Sequence, residues 1–113
     1  MVDLMHNGTA LVTGASSGFG AVYADRLAAR GYDLILVARR RERLNRLAER
    51  LRRDQGVRVD VVVADLTAPE DLSRVADLAA RDERITMLVN SAGVARFAAL
   101  PDLSGADARD MIA

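Results

Sequence analysis

The chain has 113 residues and no cysteine, and its 16 basic and 16 acidic residues give a formal net charge of +0. We expect one domain over residues 1–113 with a single core, no disulfide framework or thiolate metal site, and no dedicated nucleic-acid partner. Apolar runs too short to cross a membrane, and an N-terminus without a long apolar segment, predict a cytoplasmic protein with no membrane partner and no signal peptide.

Strand and helix patterns alternate along the chain in the order β-α-β-α-β-α-β. Continuous apolar runs indicate the strands, and apolar residues three and four positions apart indicate the helices. The predicted strands are residues 9–13, 34–38, a run that starts at 57, and 85–89, and the predicted helices are residues 18–30, 41–54 and a third that ends at 81. This alternation predicts an α/β fold with a doubly wound parallel sheet. Beyond residue 90 we expect a loop and the start of a helix.

Three details of these elements extend the prediction. The alternation from Val57 to Val61 suits an edge strand that is half exposed at its start. Thr67, with Glu70 three residues later, predicts a capping box with Thr67 as the N-cap of the third helix. The apolar fourth strand should be central, yet no strand is predicted after it. Its open edge therefore predicts self-association.

A glycine-rich segment connects the first strand to the first helix. Gly14 allows the chain to leave the strand in a conformation that a side chain would forbid. The missing side chains of Gly18 and Gly20 let a phosphate approach the backbone and let the helix pack closely on the strand. A helix N-terminus favours a pyrophosphate, and Ser16 and Ser17 offer hydroxyl donors. The spacing G-x-x-x-G-x-G differs from the common G-x-G-x-x-G fingerprint, so an ordinary glycine loop is an alternative.

The segment T-G-A-S-S-G-F-G at residues 13–20 resembles the T-G-x-x-x-G-x-G cofactor motif of the short-chain dehydrogenase/reductase family. Three later segments agree with it: A-R-R at residues 38–40, D-L at 65–66 and N-S-A-G at 90–93. The resemblance covers essentially the whole chain, but only the N-terminal portion of what complete relatives carry. It implies a partial Rossmann-type sheet, truncated relative to the complete family fold, with strand order 3-2-1-4.

The resemblance assigns further residues to a cofactor site. It implies that Asp65 contacts the adenine ring with the backbone of Leu66 nearby, although an Asp also suits a turn or a helix cap. Asn90, Ala92 and Gly93 would face the crevice where the strand order reverses, and the alternative there is a plain strand-to-loop turn. The family has a second Asn where this chain has a Ser after Asn90.

Arg39 stands at the end of the second strand, where an acidic residue would accept hydrogen bonds from the ribose hydroxyls of NAD. An Arg cannot accept hydrogen bonds, but it pairs well with a phosphate. Arg39 and Arg40 therefore favour the 2′-phosphate of NADP, with NAD the less favoured cofactor. The alternative is that both belong to the solvated basic helix that follows. The complete predicted cofactor site is Gly14, Ser16, Ser17, Gly18, Phe19, Gly20, Arg39, Arg40, Asp65, Leu66, Asn90, Ala92 and Gly93.

The catalytic residues of the resembled family have no counterparts here. Complete relatives use a Tyr-x-x-x-Lys pair, in which the tyrosine transfers a proton and the lysine lowers the pKa of that tyrosine. All 16 basic residues of this chain are Arg, so no such pair exists. Tyr23 and Tyr32 lie on the wrong elements, and we expect Tyr23 in the core. We therefore predict no catalytic residue and no metal ligand.

Two classes of function remain open at this point. The favoured one is the cofactor-binding portion of an NADP-dependent oxidoreductase that, when complete, acts on a carbonyl or alcohol substrate. The alternative is a non-catalytic nucleotide-binding or regulatory module.

Overall fold

The computed structural model of this chain describes residues 8–16, 18–90 and 93–96. Up to residue 90 they form alternating strands and helices in the predicted order, and a further strand follows. The elements are β1 (Thr9–Thr13), α1 (Gly18–Ala29), β2 (Asp33–Ala38), α2 (Arg41–Gln55), β3 (Val59–Val63), α3 (Pro69–Arg81), β4 (Ile85–Asn90) and β5 (Gly93–Arg96).

The strands form one sheet in the order β3-β2-β1-β4-β5. β1 is parallel to both of its neighbours, so that Val12 lies beside Leu36 of β2 and Val89 of β4. The predicted Rossmann-type order 3-2-1-4 is therefore confirmed. β1 is buried along its whole length, which explains why its sequence is a continuous apolar run without alternation.

The core has two layers, one on each face of the sheet. Leu44, Leu47 and Leu51 of α2 pack with α1 on one face, against side chains that include Val12. Leu11 points to the opposite face, where α3 packs, because successive strand side chains alternate between faces. Full burial of one such side chain stabilises the fold by about 1.5–3 kcal/mol. Helices on both faces make the sheet doubly wound.

The start of α3 differs from the prediction. Ala68 is the N-cap residue and makes no side-chain cap hydrogen bond, and Pro69 is the first helical residue. The Thr67 hydroxyl donates instead to Asp65 Oδ1, at 2.6 Å. The predicted capping box is therefore wrong. Pro69 needs no N–H partner at this position and has a backbone angle suited to a helix start.

The edge position of β3 is confirmed, and the run that starts at Val57 is half exposed there as predicted, with Arg58 exposed and Val59 buried. Pairing with β2 begins at Val59 rather than Val57, and Val59 is buried whereas the later residues of β3 are half-buried. Arg52 of α2 donates from Nε to the Val59 carbonyl oxygen, at 3.2 Å. An arginine side chain from the neighbouring helix therefore covers the start of this edge.

The expectation of an unpaired edge on β4 is wrong. β5 pairs with β4 in an antiparallel register, with Val89 opposite Val94 and Asn90 opposite Gly93. Residues 93–96 form a strand where a loop was expected, and they satisfy backbone groups of β4 by strand pairing. The expected helix start lies outside the described residues. The self-association predicted from an open β4 edge loses its structural basis.

Tyr23 is not in the core: it is 42% exposed, whereas Tyr32 is only 4% exposed. The buried face of α1 is formed by Gly20, Ala24, Leu27 and Ala28. Three of these four residues have small side chains or none, so the helix packs closely on the sheet. This close packing leaves Tyr23 on the outer side. Among the described residues, no helix combines the length and the hydrophobicity that a membrane span requires.

Candidate functional site

A cavity of about 330 Å³ opens at the carboxyl ends of the parallel strands. It is formed by the last residues of the strands and the loops that follow them, because parallel strands end at the same edge of a sheet. The lining residues are Thr13, Gly14, Ser16, Val37, Ala38, Arg39, Ala64, Asp65, Leu66, Thr67 and Asn90.

The structure brings six of the predicted site residues together in this lining and separates others from it. The six are Gly14, Ser16, Arg39, Asp65, Leu66 and Asn90. Phe19 is not among the lining residues, and its side chain is 77% exposed on α1. Ser17 and Ala92 lie outside the described residues, and the backbone of Gly93 begins β5.

The glycine loop is attached to the sheet by its backbone. The N–H of Ala15 donates to the carbonyl oxygen of Val37 in β2, at 3.1 Å. Gly14, with a φ of 67°, has the left-handed backbone conformation that favours glycine. The strand-to-loop turn at Gly14 therefore agrees with the predicted role of this residue.

Gly18 and Gly20 differ in what surrounds them. A Cβ atom on Gly20 would lie 2.1 Å from the carbonyl oxygen of Gly14 and 2.9 Å from the Cα of Ala15. The packing of α1 on the loop therefore requires glycine at position 20. Among the described residues other than its chain neighbours and its own helix backbone, a Cβ on Gly18 would meet no atom within 4 Å. The space beside Gly18 is open, and packing among the described residues does not explain why this position is a glycine.

Arg39 and Arg40 have separate positions. Arg39 lines the cavity, whereas Arg40 is the N-cap residue of α2 and accepts the N–H of Leu44 at its carbonyl oxygen, at 3.0 Å. The following helix carries an exposed ion pair between Glu42 and Arg46, at 3.9 Å, as expected for a solvated basic face. Arg39 is thus the cationic residue of the cavity lining, whereas the backbone of Arg40 caps the N-terminus of α2.

Asp65 is held as an ionised acceptor at the cavity. Its Oδ1 accepts the N–H of Thr67 at 2.9 Å and the Thr67 hydroxyl at 2.6 Å. The hydroxyl bond and then the backbone bond lower the pKa of Asp65, and these two effects outweigh the opposing effect of burial. The charge of Arg39 makes a smaller contribution in the same lowering direction. An ionised carboxylate has several acceptor positions, so Asp65 can accept more hydrogen bonds than these two.

We expect Thr67→Val to raise the pKa of Asp65 toward its ordinary value, because the substitution removes the hydroxyl donor and keeps the backbone donor. The measurement is an NMR titration of the side-chain carboxyl carbons. With its lowered pKa, ionised Asp65 stabilises the fold above the unfolded-state pKa, and this stabilisation is lost as the pH falls through the folded-state value. The variant should therefore lose less stability on acidification.

Asp82 is an internal control for this titration. Its pKa is lowered by hydrogen bonds from Arg84, which do not involve Thr67. An Asp65 pKa that is the same in Thr67→Val and in the parent chain would show that the hydroxyl bond does not hold the carboxylate in its ionised form.

Five lining residues are not in the predicted site, and two of these five, Thr13 and Thr67, have polar side chains. The hydroxyl of Thr13 donates to the carbonyl oxygen of Val89, at 3.3 Å, and joins the carboxyl ends of β1 and β4. Thr67 holds Asp65. The spacing D-x-T is a sequence signal for a turn in which an Asp side chain bonds the backbone two residues on, and it could have identified Thr67.

No group of three or more His, Cys, Asp or Glu side chains within the described ranges could hold a metal ion. The polar groups around the cavity are instead hydroxyls, a guanidinium, a carboxylate and an amide, together with backbone. Such a set can bind an anionic, hydrogen-bonding organic molecule at the end of a doubly wound sheet, where ligands of this fold bind.

The model of the short chain dehydrogenase family matches residues 8–113. The chain therefore belongs to the short-chain dehydrogenase family. Sulfoacetaldehyde reductase 2 of Chromohalobacter salexigens is 46% identical to it over 86 residues, which are 75% of this chain and 33% of that protein.

Solved structures agree with this assignment. A short-chain dehydrogenase from Sphingobium yanoikuyae in complex with NADPH is 54% identical, with a TM-score of 0.70 over 72% of this chain and 32% of its own. A bulky-bulky ketone specific alcohol dehydrogenase from Comamonas testosteroni is 42% identical, with a TM-score of 0.73 over 93% of this chain and 43% of its own. The chain spans 33% and 26% of the first two curated relatives that it matches.

Proposed function

We propose that this chain is the cofactor-binding portion of an NADP-dependent oxidoreductase. In the complete protein, hydride would pass between NADP(H) and a carbonyl or alcohol substrate. The observation that carries the proposal is that Gly14, Arg39 and Asp65 line one shared cavity at the carboxyl ends of the strands. The similarity to a dehydrogenase solved with NADPH supports it. A cytoplasmic location remains a prediction.

The residues at the cavity fit the chemistry of a dinucleotide. The open space beside Gly18 leaves room for a pyrophosphate at the N-terminus of α1, where the helix dipole favours an anion. Arg39 would pair with the 2′-phosphate, and the carboxylate of Asp65 would accept hydrogen bonds from the adenosine end. When bound, the nicotinamide would supply or accept the hydride.

We propose further that the chain by itself does not turn over substrate. The reaction needs a proton donor or acceptor whose pKa suits the working pH. This chain contains no lysine, so the Tyr-x-x-x-Lys pair of complete relatives would have to be contributed by further sequence. The residues that select the substrate would also belong to the remainder of the complete fold.

We expect the chain to bind NADPH at least about tenfold more tightly than NADH, since a charge-assisted hydrogen bond contributes roughly 1.5–3 kcal/mol and 1.4 kcal/mol corresponds to a factor of ten. Isothermal titration calorimetry with each cofactor measures the ratio. Arg39→Asp should abolish the preference, because an acidic side chain repels the 2′-phosphate and accepts ribose hydroxyls.

Arg43→Asp is the matched control for this titration. It makes the same charge change on the exposed first turn of α2, away from the cavity lining, and should keep the preference for NADPH. Equal affinities for the two cofactors in the parent chain would contradict the assignment of NADP.

A further inference from the structure

The loop between β3 and α3 carries Asp65, and two side chains of α3 that do not line the cavity hold this loop by hydrogen bonds. The backbone N–H of Asp65 donates to Oδ2 of Asp71, at 2.8 Å. Asp71 is in the first turn of α3. A helix side chain therefore fixes the position of the backbone from which the Asp65 carboxylate reaches the cavity.

Arg74 connects the carboxylate of Asp71 to the end of β3. Its Nη2 donates to the carbonyl oxygen of Val63, the last residue of β3, at 3.0 Å. The same nitrogen lies 3.5 Å from Oδ1 of Asp71. Each oxygen of Asp71 thus has a different partner, Oδ2 the loop and Oδ1 the arginine. One strand end, one loop residue and one helix turn are joined by these two side chains.

Other hydrogen bonds hold the remaining parts of the loop. The N–H of Ala64 donates to the carbonyl oxygen of Ala38 in β2, and the N–H of Ala68 donates to that of Asp65, both at 3.0 Å. Thr67 bonds the Asp65 carboxylate. The Asp71 contact is the bond that holds the N–H of Asp65. We therefore expect its loss to release the backbone at the cavity-lining residue itself.

We propose that Asp71 and Arg74 are positioning residues that preorganise the loop of residues 64–68 for the adenosine end of the dinucleotide. Neither residue lines the cavity, so their effect reaches the ligand through Asp65. A loop that is already ordered spares the ligand the entropic cost of ordering it. This inference rests on the proposed function, because it assigns the cofactor's adenosine end to this part of the cavity.

The test compares substitutions at Asp71 with a matched one at Glu70. Asp71→Ala should raise the Kd of the full chain for NADPH and for adenosine 2′,5′-bisphosphate about threefold to tenfold, the effect of losing one hydrogen bond that positions the loop. Asp71→Asn keeps an acceptor oxygen for the Asp65 N–H and should restore affinity. Glu70→Ala removes a negative charge from the same exposed helix turn and should change neither Kd.

Hydrogen exchange of the Asp65 amide is the second readout. The exchange should be faster in Asp71→Ala and in Arg74→Ala, and should stay near the parent rate in Asp71→Asn and Glu70→Ala. Arg74→Ala is an independent variant in case Asp71→Ala fails to fold. It removes the bond to Val63 and the support of Asp71.

Two results would overturn the inference. One is parent-like affinity together with parent-like amide exchange in Asp71→Ala, and the other is the same loss of affinity in Asp71→Asn as in Asp71→Ala. A parent chain that binds neither ligand would refute the proposed function instead, and the exchange rates would still decide whether Asp71 holds the loop.

Discussion

Gly18→Val is expected to fold and to lose cofactor binding, whereas Gly20→Val is expected to destabilise the fold itself. The reason is the different surroundings of the two positions. A side chain at position 18 would enter open space, which we assign to the pyrophosphate, and a branched group there would occupy it. A side chain at position 20 would meet the carbonyl oxygen of Gly14 at 2.1 Å. That atom is backbone and cannot rotate away.

The expected changes in stability and in NADPH binding follow from this difference between the two positions. Gly20→Val should lower the free energy of unfolding by on the order of 3 kcal/mol or more, at the upper end of what overpacking costs. Gly18→Val should change the thermal midpoint little while calorimetry detects no binding of NADPH. Circular dichroism melting and calorimetric titration on the same samples separate the two effects.

Asn45→Val is the matched control for the glycine variants. It places the same branched side chain at an exposed position of α2 and should leave NADPH binding unchanged. A folded Gly18→Val variant with the parent's affinity would show that the glycines serve only the local fold, and the pyrophosphate would then need another position.

The chain alone is expected to give no detectable NADPH oxidation with ketones or aldehydes. An unperturbed tyrosine has a pKa of about 10, and it needs a nearby cation to transfer protons at neutral pH. The residues four positions after Tyr23 and Tyr32 are Leu27 and Leu36. Tyr32 is buried immediately before β2, at the opposite end of the strand from the cavity, and Tyr23 is on the outer side of α1.

The assay follows NADPH absorbance with a panel of carbonyl substrates, at several concentrations of the purified chain. A longer chain that continues through a Tyr-x-x-x-Lys pair is the positive control, and it should oxidise NADPH under the same conditions. NADPH oxidation in proportion to the concentration of the 113-residue chain would refute the proposal that its catalytic residues lie elsewhere.

The alternation of elements could be predicted from local sequence patterns, and the sheet order from the resemblance to the family. Strands buried on both faces, such as β1 and β2, must be continuously apolar, and helices that pack on one side must repeat apolar residues at helical spacing. Both signals are local. The carboxyl ends of parallel strands meet at one edge of the sheet. Strand assignment and strand order together therefore predict that the residues after these strand ends line one cavity, as Gly14, Arg39, Asp65 and Asn90 do.

The tertiary structure decided the features that depend on distant or competing partners. The Thr67 hydroxyl bonds Asp65 rather than capping α3. A hydroxyl can make either bond, and the conformation of the loop determines which of the two forms. Tyr23 faces outward because small residues bring the opposite face of α1 onto the sheet. The pairing of β4 with β5, and the different surroundings of Gly18 and Gly20, likewise depend on which backbone atoms approach in three dimensions. Local sequence patterns determine which segments are buried, but they do not determine which of several compatible partners a polar or backbone group meets.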